Sequence, residues 1–165
     1  MTETNVIFPV DYCENGNQIG TISGRDGISV HTYSLGDTPG FVEIKFDTYI
    51  IPDRIDIRYN REWVRSTGKL LDKNTPSPPI KECDQVTSEE GFVGESGTFH
   101  MFYDPNISKK LDIYVSGCLG GGTVWEYSIT DCPREKPVLG VHSNSDPTEN
   151  IISGHAWISL TQSGR

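Results

Sequence analysis

The residues Arg54-Ile55-Asp56-Ile57-Arg58-Tyr59 alternate strictly, placing Ile55, Ile57 and Tyr59 on one face and Arg54, Asp56 and Arg58 on the other. That period of two belongs to a half-buried strand and is incompatible with the 3.6-residue stripe of a helix. Similar segments recur along the chain. Phe41 to Ile50 alternates with an irregularity near Glu43, which puts Phe41, Ile44, Phe46 and Tyr49 inward. Gly97 to Tyr103, Leu111 to Ser116 and Val124 to Ile129 read the same way, each closed by turn residues. No window longer than a couple of turns carries a helical apolar stripe. With 17 Gly and 10 Pro punctuating the chain, the fold class is all-β. About eight short strands are expected in an antiparallel β-sandwich, jelly-roll-like, with an extra C-terminal strand segment.

Three domain assignments follow from where the pattern breaks. Residues 1–133 form the sandwich, a binding or delivery domain. Residues 134–150, rich in Pro, Ser and Asn, read as a linker, and 151–165 as the incomplete start of a second domain. Within the sandwich, Pro52 fixes a turn, Asn60-Arg61-Glu62 forms another, and Leu70 to Val86, with three prolines, is a long excursion without regular structure. Excursions of that length are often functional.

Charge narrows the partners. With 14 Lys plus Arg against 23 Asp plus Glu the formal charge is −9, the wrong sign for releasing counterions from nucleic acid, so no nucleic-acid partner is expected. No stretch approaches the roughly 18 apolar residues that span a bilayer, so no membrane span is expected. The N-terminus lacks a basic region followed by an apolar core, so export without a Sec leader is expected. The four cysteines show no Cys-x-x-Cys spacing that would suggest zinc. Cys13 and Cys132 lie at the two ends of the sandwich, and a disulfide between them is the preferred reading. Cys83 and Cys118 either pair or stay free. Disulfides require an oxidising compartment, the periplasm of a target cell or the exterior.

The chemistry-bearing residues are few. Gly117 to Thr123 resembles a phosphate cradle only in its glycines, because neither a lysine nor a helix follows, and it reads as a turn. Acids near strand ends, Asp47, Asp53, Asp56, Asp104, Asp112 and Asp131, offer the oxygens that calcium takes; Asp53 and Glu126 are the metal candidates and calcium the candidate cofactor. Trp63 and Tyr103, taken as exposed aromatics near acidic loops, are the candidates for binding a glycan. Cys118 with His100, His142 or His155 would be needed for a thiolate mechanism, although no helix N-terminus is at hand to lower the thiol's pKa. His155 follows Gly154 in an apolar strand, where a hydrolase can hold a base on a rigid sheet.

Two stretches carry a family resemblance. Tyr49 to Asn60, with Ile51-Pro52-Asp53-Arg54 at its centre, then Gly97-Thr98-Phe99 and Thr123-Val124-Trp125-Glu126-Tyr127, resembles jelly-roll-like sandwich modules attached to secreted bacterial proteins. Ser153-Gly154-His155-Ala156-Trp157-Ile158-Ser159-Leu160 resembles the start of a circularly permuted, papain-like NlpC/P60 hydrolase of the kind found in type VI secretion effectors. That second resemblance implies His155 as general base for a cysteine that would lie beyond Arg165, in an amidase or peptidase acting on peptidoglycan. The chain as given would not be catalytic alone. The leading expectation is the N-terminal part of a secreted antibacterial effector, whose partners are peptidoglycan or another glycan and a secretion-system or immunity protein. The alternatives are a stand-alone glycan- or calcium-binding module and an acidic immunity or inhibitor protein that neutralises a basic toxin.

Overall fold

A computed structural model describes residues 4–7, 13, 19–134, 138–144 and 155–161. They fall into two compact units, 1–134 and 135–165. The first is a β-sandwich. Its strands are β1 (Thr4–Ile7), β2 (Ile19–Gly24), β3 (Gly27–Tyr33), β4 (Gly40–Asp47), β5 (Arg54–Tyr59), β6 (Glu62–Ser66), β7 (Ser96–Tyr103), β8 (Leu111–Gly117) and β9 (Trp125–Asp131). One sheet runs β1-β3-β8-β5-β6 and the other β2-β9-β4-β7. Every pairing is antiparallel except β1 with β3.

Side-chain alternation builds the core between the sheets. Ile55, Ile57 and Tyr59 of β5 meet Leu111, Ile113 and Val115 of β8 on the inner face of one sheet. Val42, Ile44 and Phe46 of β4, Phe99, Met101 and Tyr103 of β7, and Trp125, Tyr127 and Ile129 of β9 face them from the other. Phe46 stacks on Phe99 at 4.9 Å between ring centroids. The expected inward set on β4 is corrected here: Ile44 and Phe46 are buried, but Phe41 is 52% exposed and Tyr49 44%. Val42 fills the inward position and Phe41 lies edge-on against Phe102 on the outer face. Val42, and not Phe41, starts the inward series, and the irregularity expected near Glu43 is present as a register shift between Glu43 and Ile44 in the pairing with β9.

A polar chain threads this core. Tyr127 Oη lies 2.6 Å from both His31 Nδ1 and Tyr33 Oη, satisfying groups that would be costly to bury alone. Burial lowers the pKa of His31, so the neutral ring is favoured inside the fold.

The two-residue turn from β5 into β6 uses Asn60 (φ 50°) and Arg61 (φ 65°), the paired positive values of a hairpin turn that suits strand twist. After β6 the long excursion carries little regular structure, a single 3-10 turn at Ser88–Glu90 capped by Thr87 and ended by Gly91 at φ 86°. One buried side chain, Arg54, ties both of its ends to the outer face of the β5 sheet. Arg54 makes a two-pronged ion pair with Asp56 (Nε to Oδ2 2.8 Å, Nη2 to Oδ1 2.9 Å), and both residues are buried. The same guanidinium donates to Ser66 Oγ at 3.2 Å, to the Lys69 carbonyl at 3.0 Å and to the Glu90 carbonyl. A Cβ on Gly68 would come within 2.4 Å of the Gly91 Cα, so only glycine allows the two ends of the excursion to close over Arg54.

The second unit is a hairpin of β10 (Val138–Asn144) and β11 (His155–Thr161). In its register Asn144 pairs with His155 and His142 with Trp157. Within the segment expected as a linker, Val138–Asn144 is a strand paired with β11. Residues 145–150 and 151–154 lie outside the described residues. Among the described residues no helix is long and apolar enough to cross a membrane.

Removing the carboxylate of Asp56 leaves a guanidinium buried without its countercharge. Asp56→Ala is therefore expected to cost about 3 to 5 kcal/mol in urea unfolding, and a loss below about 1 kcal/mol would show that Arg54 is solvated and the excursion is held by other bonds.

Candidate binding site at one end of the sandwich

Three connections meet at one end of the sandwich: 48–53 between β4 and β5, the stretch 81–95 of the long excursion, and 118–124 between β8 and β9. Asp53 lies at their junction. It is fully buried; its Oδ1 accepts the Cys118 N-H at 3.0 Å and its Oδ2 the Thr123 hydroxyl at 2.5 Å. Its backbone exchanges hydrogen bonds with Val93 at 3.0 and 2.9 Å. Burial raises the Asp53 pKa to about 6, against the opposing pull of the two donors.

Covalent and backbone links reinforce the junction. Cys83 and Cys118 form a disulfide, as do Cys13 and Cys132, so no free cysteine remains. The Cys83 N-H donates to the Leu119 carbonyl and the Leu119 N-H to that of Lys81, each at 2.9 Å. A Cβ on Gly121 would meet the Cys83 Sγ at 2.5 Å, and Gly120 and Gly122 adopt φ of 80° and 68°. The glycines between Gly117 and Thr123 thus serve a tight turn packed on a disulfide, the reading the sequence favoured over an anion cradle. On the other side the Thr48 hydroxyl donates to the Val93 carbonyl at 2.5 Å and accepts from the Glu95 N-H at 3.1 Å.

This fixed junction pushes apolar side chains outward. Tyr49 sits at φ 55°, an uncommon conformation for a bulky residue, held by its N-H donating to Asp47 Oδ1 at 2.7 Å. Ile50 beyond it is 92% exposed, and Val124 on the neighbouring connection is 41% exposed. Beside this tip, Asp47 and Glu126 pair across β4 and β9 and line a cleft of about 190 Å³ with Lys45, Phe46 and Ser96. A hydrogen bond from the Tyr49 hydroxyl to Glu126, with the negative charges of Glu126 and Asp47, raises the Tyr49 pKa. A larger cavity of about 540 Å³ lies under the long excursion, between Lys69, Leu70, Leu71, Pro79 and Lys81.

The expected site residues are distributed as follows. Trp63 and Tyr103 are buried, which corrects the exposure expected of them. Trp63 packs edge-on to Tyr114 at 4.9 Å, lies under the Arg58 guanidinium at 5.1 Å and donates to the Thr75 carbonyl. Tyr103 donates from the core to the Gly36 carbonyl at 2.8 Å. Both are amphipathic rings whose polar end found a backbone partner, and alternation alone does not reveal such a partner. Asp53 and Glu126 hold structural bonds of their own, Asp53 to its two donors and Glu126 to Tyr49, and among the described residues no group of three or more His, Cys, Asp or Glu could hold a metal ion. Cys118 is a disulfide partner and not a thiol. His100 pairs with Glu43 at 2.9 Å on the outer face of the second sheet. His155 is the first residue of β11. Sequence reasoning missed Tyr49 and Ile50 as surface residues. The available signal was three consecutive apolar residues, Tyr49-Ile50-Ile51, ahead of Pro52 in a turn, where no sheet face can absorb them all.

These observations define a disulfide-linked β-sandwich module with a rigid, apolar-tipped loop end. No family model matches the sequence, and no curated protein matches it. Among solved structures it is similar to the pre-peptidase C-terminal domain of collagenase from Bacillus anthracis, at 12% identity and a TM-score of 0.42, over 78% of this chain and 95% of that one.

The buried acid and the buried histidine make opposite contributions to pH dependence. Asp53 binds its proton more tightly folded than unfolded, so its contribution to stability is complete below about pH 3.8 and lost as pH rises through about 6. His31, with its pKa lowered, contributes stability that is present above 6.5 and lost as pH falls toward its folded value. Asp53→Asn keeps the acceptor for Cys118 and can donate to Thr123. The variant is expected to gain on the wild type by roughly 3 kcal/mol in urea unfolding between about pH 4 and about pH 8. A difference that stays flat with pH would mean that Asp53 is solvated.

Proposed function

We propose that the sandwich is a non-catalytic recognition and delivery module of an exported protein. The single observation that carries this reading is the loop end, where a buried carboxylate and a disulfide fix three connections so that Tyr49, Ile50 and Val124 are held toward solvent. Surfaces ordered before contact lose less entropy on binding, which favours recognition. Two disulfides fit an oxidising compartment, and with both consuming all four thiols the sandwich offers no nucleophilic cysteine.

The finer reading is that this module serves a cysteine amidase of the NlpC/P60 kind, carried by a type VI effector and acting on peptidoglycan. It rests on the resemblance around Gly154-His155-Ala156-Trp157. His155 would take the proton of a thiol supplied by residues beyond Arg165, and the thiolate would attack the amide carbonyl. The C–N bond would break as His155 returns that proton to the leaving amine, and water would then hydrolyse the thioester. The position of His155 at the start of a strand suits a base on a rigid element.

Two measurements test these levels separately. The 165-residue chain is expected to co-sediment with purified peptidoglycan sacculi, to release no soluble fragments from them and to bind less well when both Cys83 and Cys118 are changed to serine. Failure to sediment, or release of fragments by this chain, would overturn the recognition reading. The intact mass of the protein from its native source is expected to exceed 18.3 kDa, and periplasmic production of that longer form is expected to lyse a sensitive bacterium unless His155 is changed to alanine. Harmless production, or lysis that survives His155→Ala, would remove the amidase.

A further inference from the structure

The loop end that carries the recognition reading joins two features. One is apolar: Ile50 stands almost wholly in solvent, flanked by half-exposed Tyr49 and Val124. The other is electrostatic. Asp47 and Glu126 line the adjoining 190 Å³ cleft and pair across β4 and β9. Lys45, the basic residue in that cleft, lies 3.7 Å from Glu43 and so is already drawn to a carboxylate.

From this combination we propose that the tip docks a protein segment bearing a basic side chain next to an apolar one, the apolar residue packing on Ile50 and Tyr49 and the basic group entering the cleft between Asp47 and Glu126. The acidic surround selects the partner. A lipid surface with anionic headgroups would be repelled by these carboxylates, whereas a basic protein segment is attracted by them and by a chain of formal charge −9. A cleft of this volume takes one long side chain and not a folded element, so the partner reads as an extended segment or a projecting loop. Glu126 can accept from a lysine while keeping the Tyr49 hydroxyl bond, because a carboxylate has room for several donors. The proposal rests on the recognition reading and names the chemistry of one delivery partner.

The probe is a synthetic peptide with Leu-Lys-Phe at its centre between Ser-Gly spacers, compared with its Leu-Glu-Phe counterpart, titrated into the isotope-labelled 165-residue chain and followed by amide shifts. Shifts confined to residues 47–51, 94–96 and 124–126 are expected, with affinity that falls as salt rises. About a fivefold loss is expected for Ile50→Ser and for Glu126→Gln, each of about 1 kcal/mol. Glu126→Gln keeps an acceptor for Tyr49, and an unchanged spectrum elsewhere shows that the variant is folded. Absence of shifts, shifts centred on another surface, or equal binding of the Leu-Glu-Phe peptide would overturn the proposal. Ile50-dependent binding to phosphatidylcholine vesicles without a peptide response would overturn it in favour of a lipid surface. Sacculus binding by the unaltered chain without any peptide response would keep the recognition reading and overturn this proposal, so the two fail separately.

Discussion

A single guanidinium ties both ends of the longest irregular connection to the sheet beneath it. Strands β6 and β7 are separated by 29 residues whose described structure includes one 3-10 turn and isolated bridges, so ladder hydrogen bonds cannot hold them. Arg54 substitutes for a ladder. Its planar fork binds Asp56 on its own strand and reaches the Lys69 and Glu90 carbonyls near the two ends of the excursion. Lysine could not replace it, because one ammonium cannot meet a two-pronged carboxylate and diverging carbonyls together.

Adjacent residues on a strand point to opposite sides, and this chain uses both sides of one dipeptide. Arg54 ties down the excursion, while Asp53 caps the connection between β8 and β9. The two ties converge, because the excursion also carries Cys83 and the capped connection carries Cys118. Every connection at the loop end is therefore fixed from the start of β5, the same strand that supplies the most regular inward series. A disturbance there would reach the core, the excursion and the exposed tip together.

This explains what the sequence made legible and what it concealed. Period-two alternation identifies β4, β5, β7, β8 and β9 because each has one dry face. It does not identify β2 or β3: Ile19–Gly24 carries three residues without large side chains, Gly20, Ser23 and Gly24, and Gly27–Tyr33 pairs its buried Val30 with a buried His31 that no apolar pattern would include. On β5 the polar face, Arg54 and Asp56, reads as solvated but is buried under the excursion, a tertiary cover invisible to local pattern. The run Ile51-Pro52-Asp53-Arg54 stands out as a motif for reasons that are structural, since two of its residues fix two connections. The pairing of Cys13 with Cys132 follows from their positions at the ends of the sandwich, whereas that of Cys83 with Cys118 depends on the excursion folding back, which spacing does not report. For the candidate site, alternation favoured Trp63 and Tyr103 because they are aromatic, while the residues presented to solvent are the apolar ones stranded in a turn.

The buried carboxylate and the disulfide act on the same junction. Above about pH 6 Asp53 is ionised in a buried setting whose desolvation cost exceeds what its two donors return. The Cys83–Cys118 bond compensates by restricting the unfolded chain, by about 4 kcal/mol in the chain-entropy view for a loop of this length. In a reducing environment that contribution is gone, and the connection would rely on a penalised carboxylate and two backbone bonds.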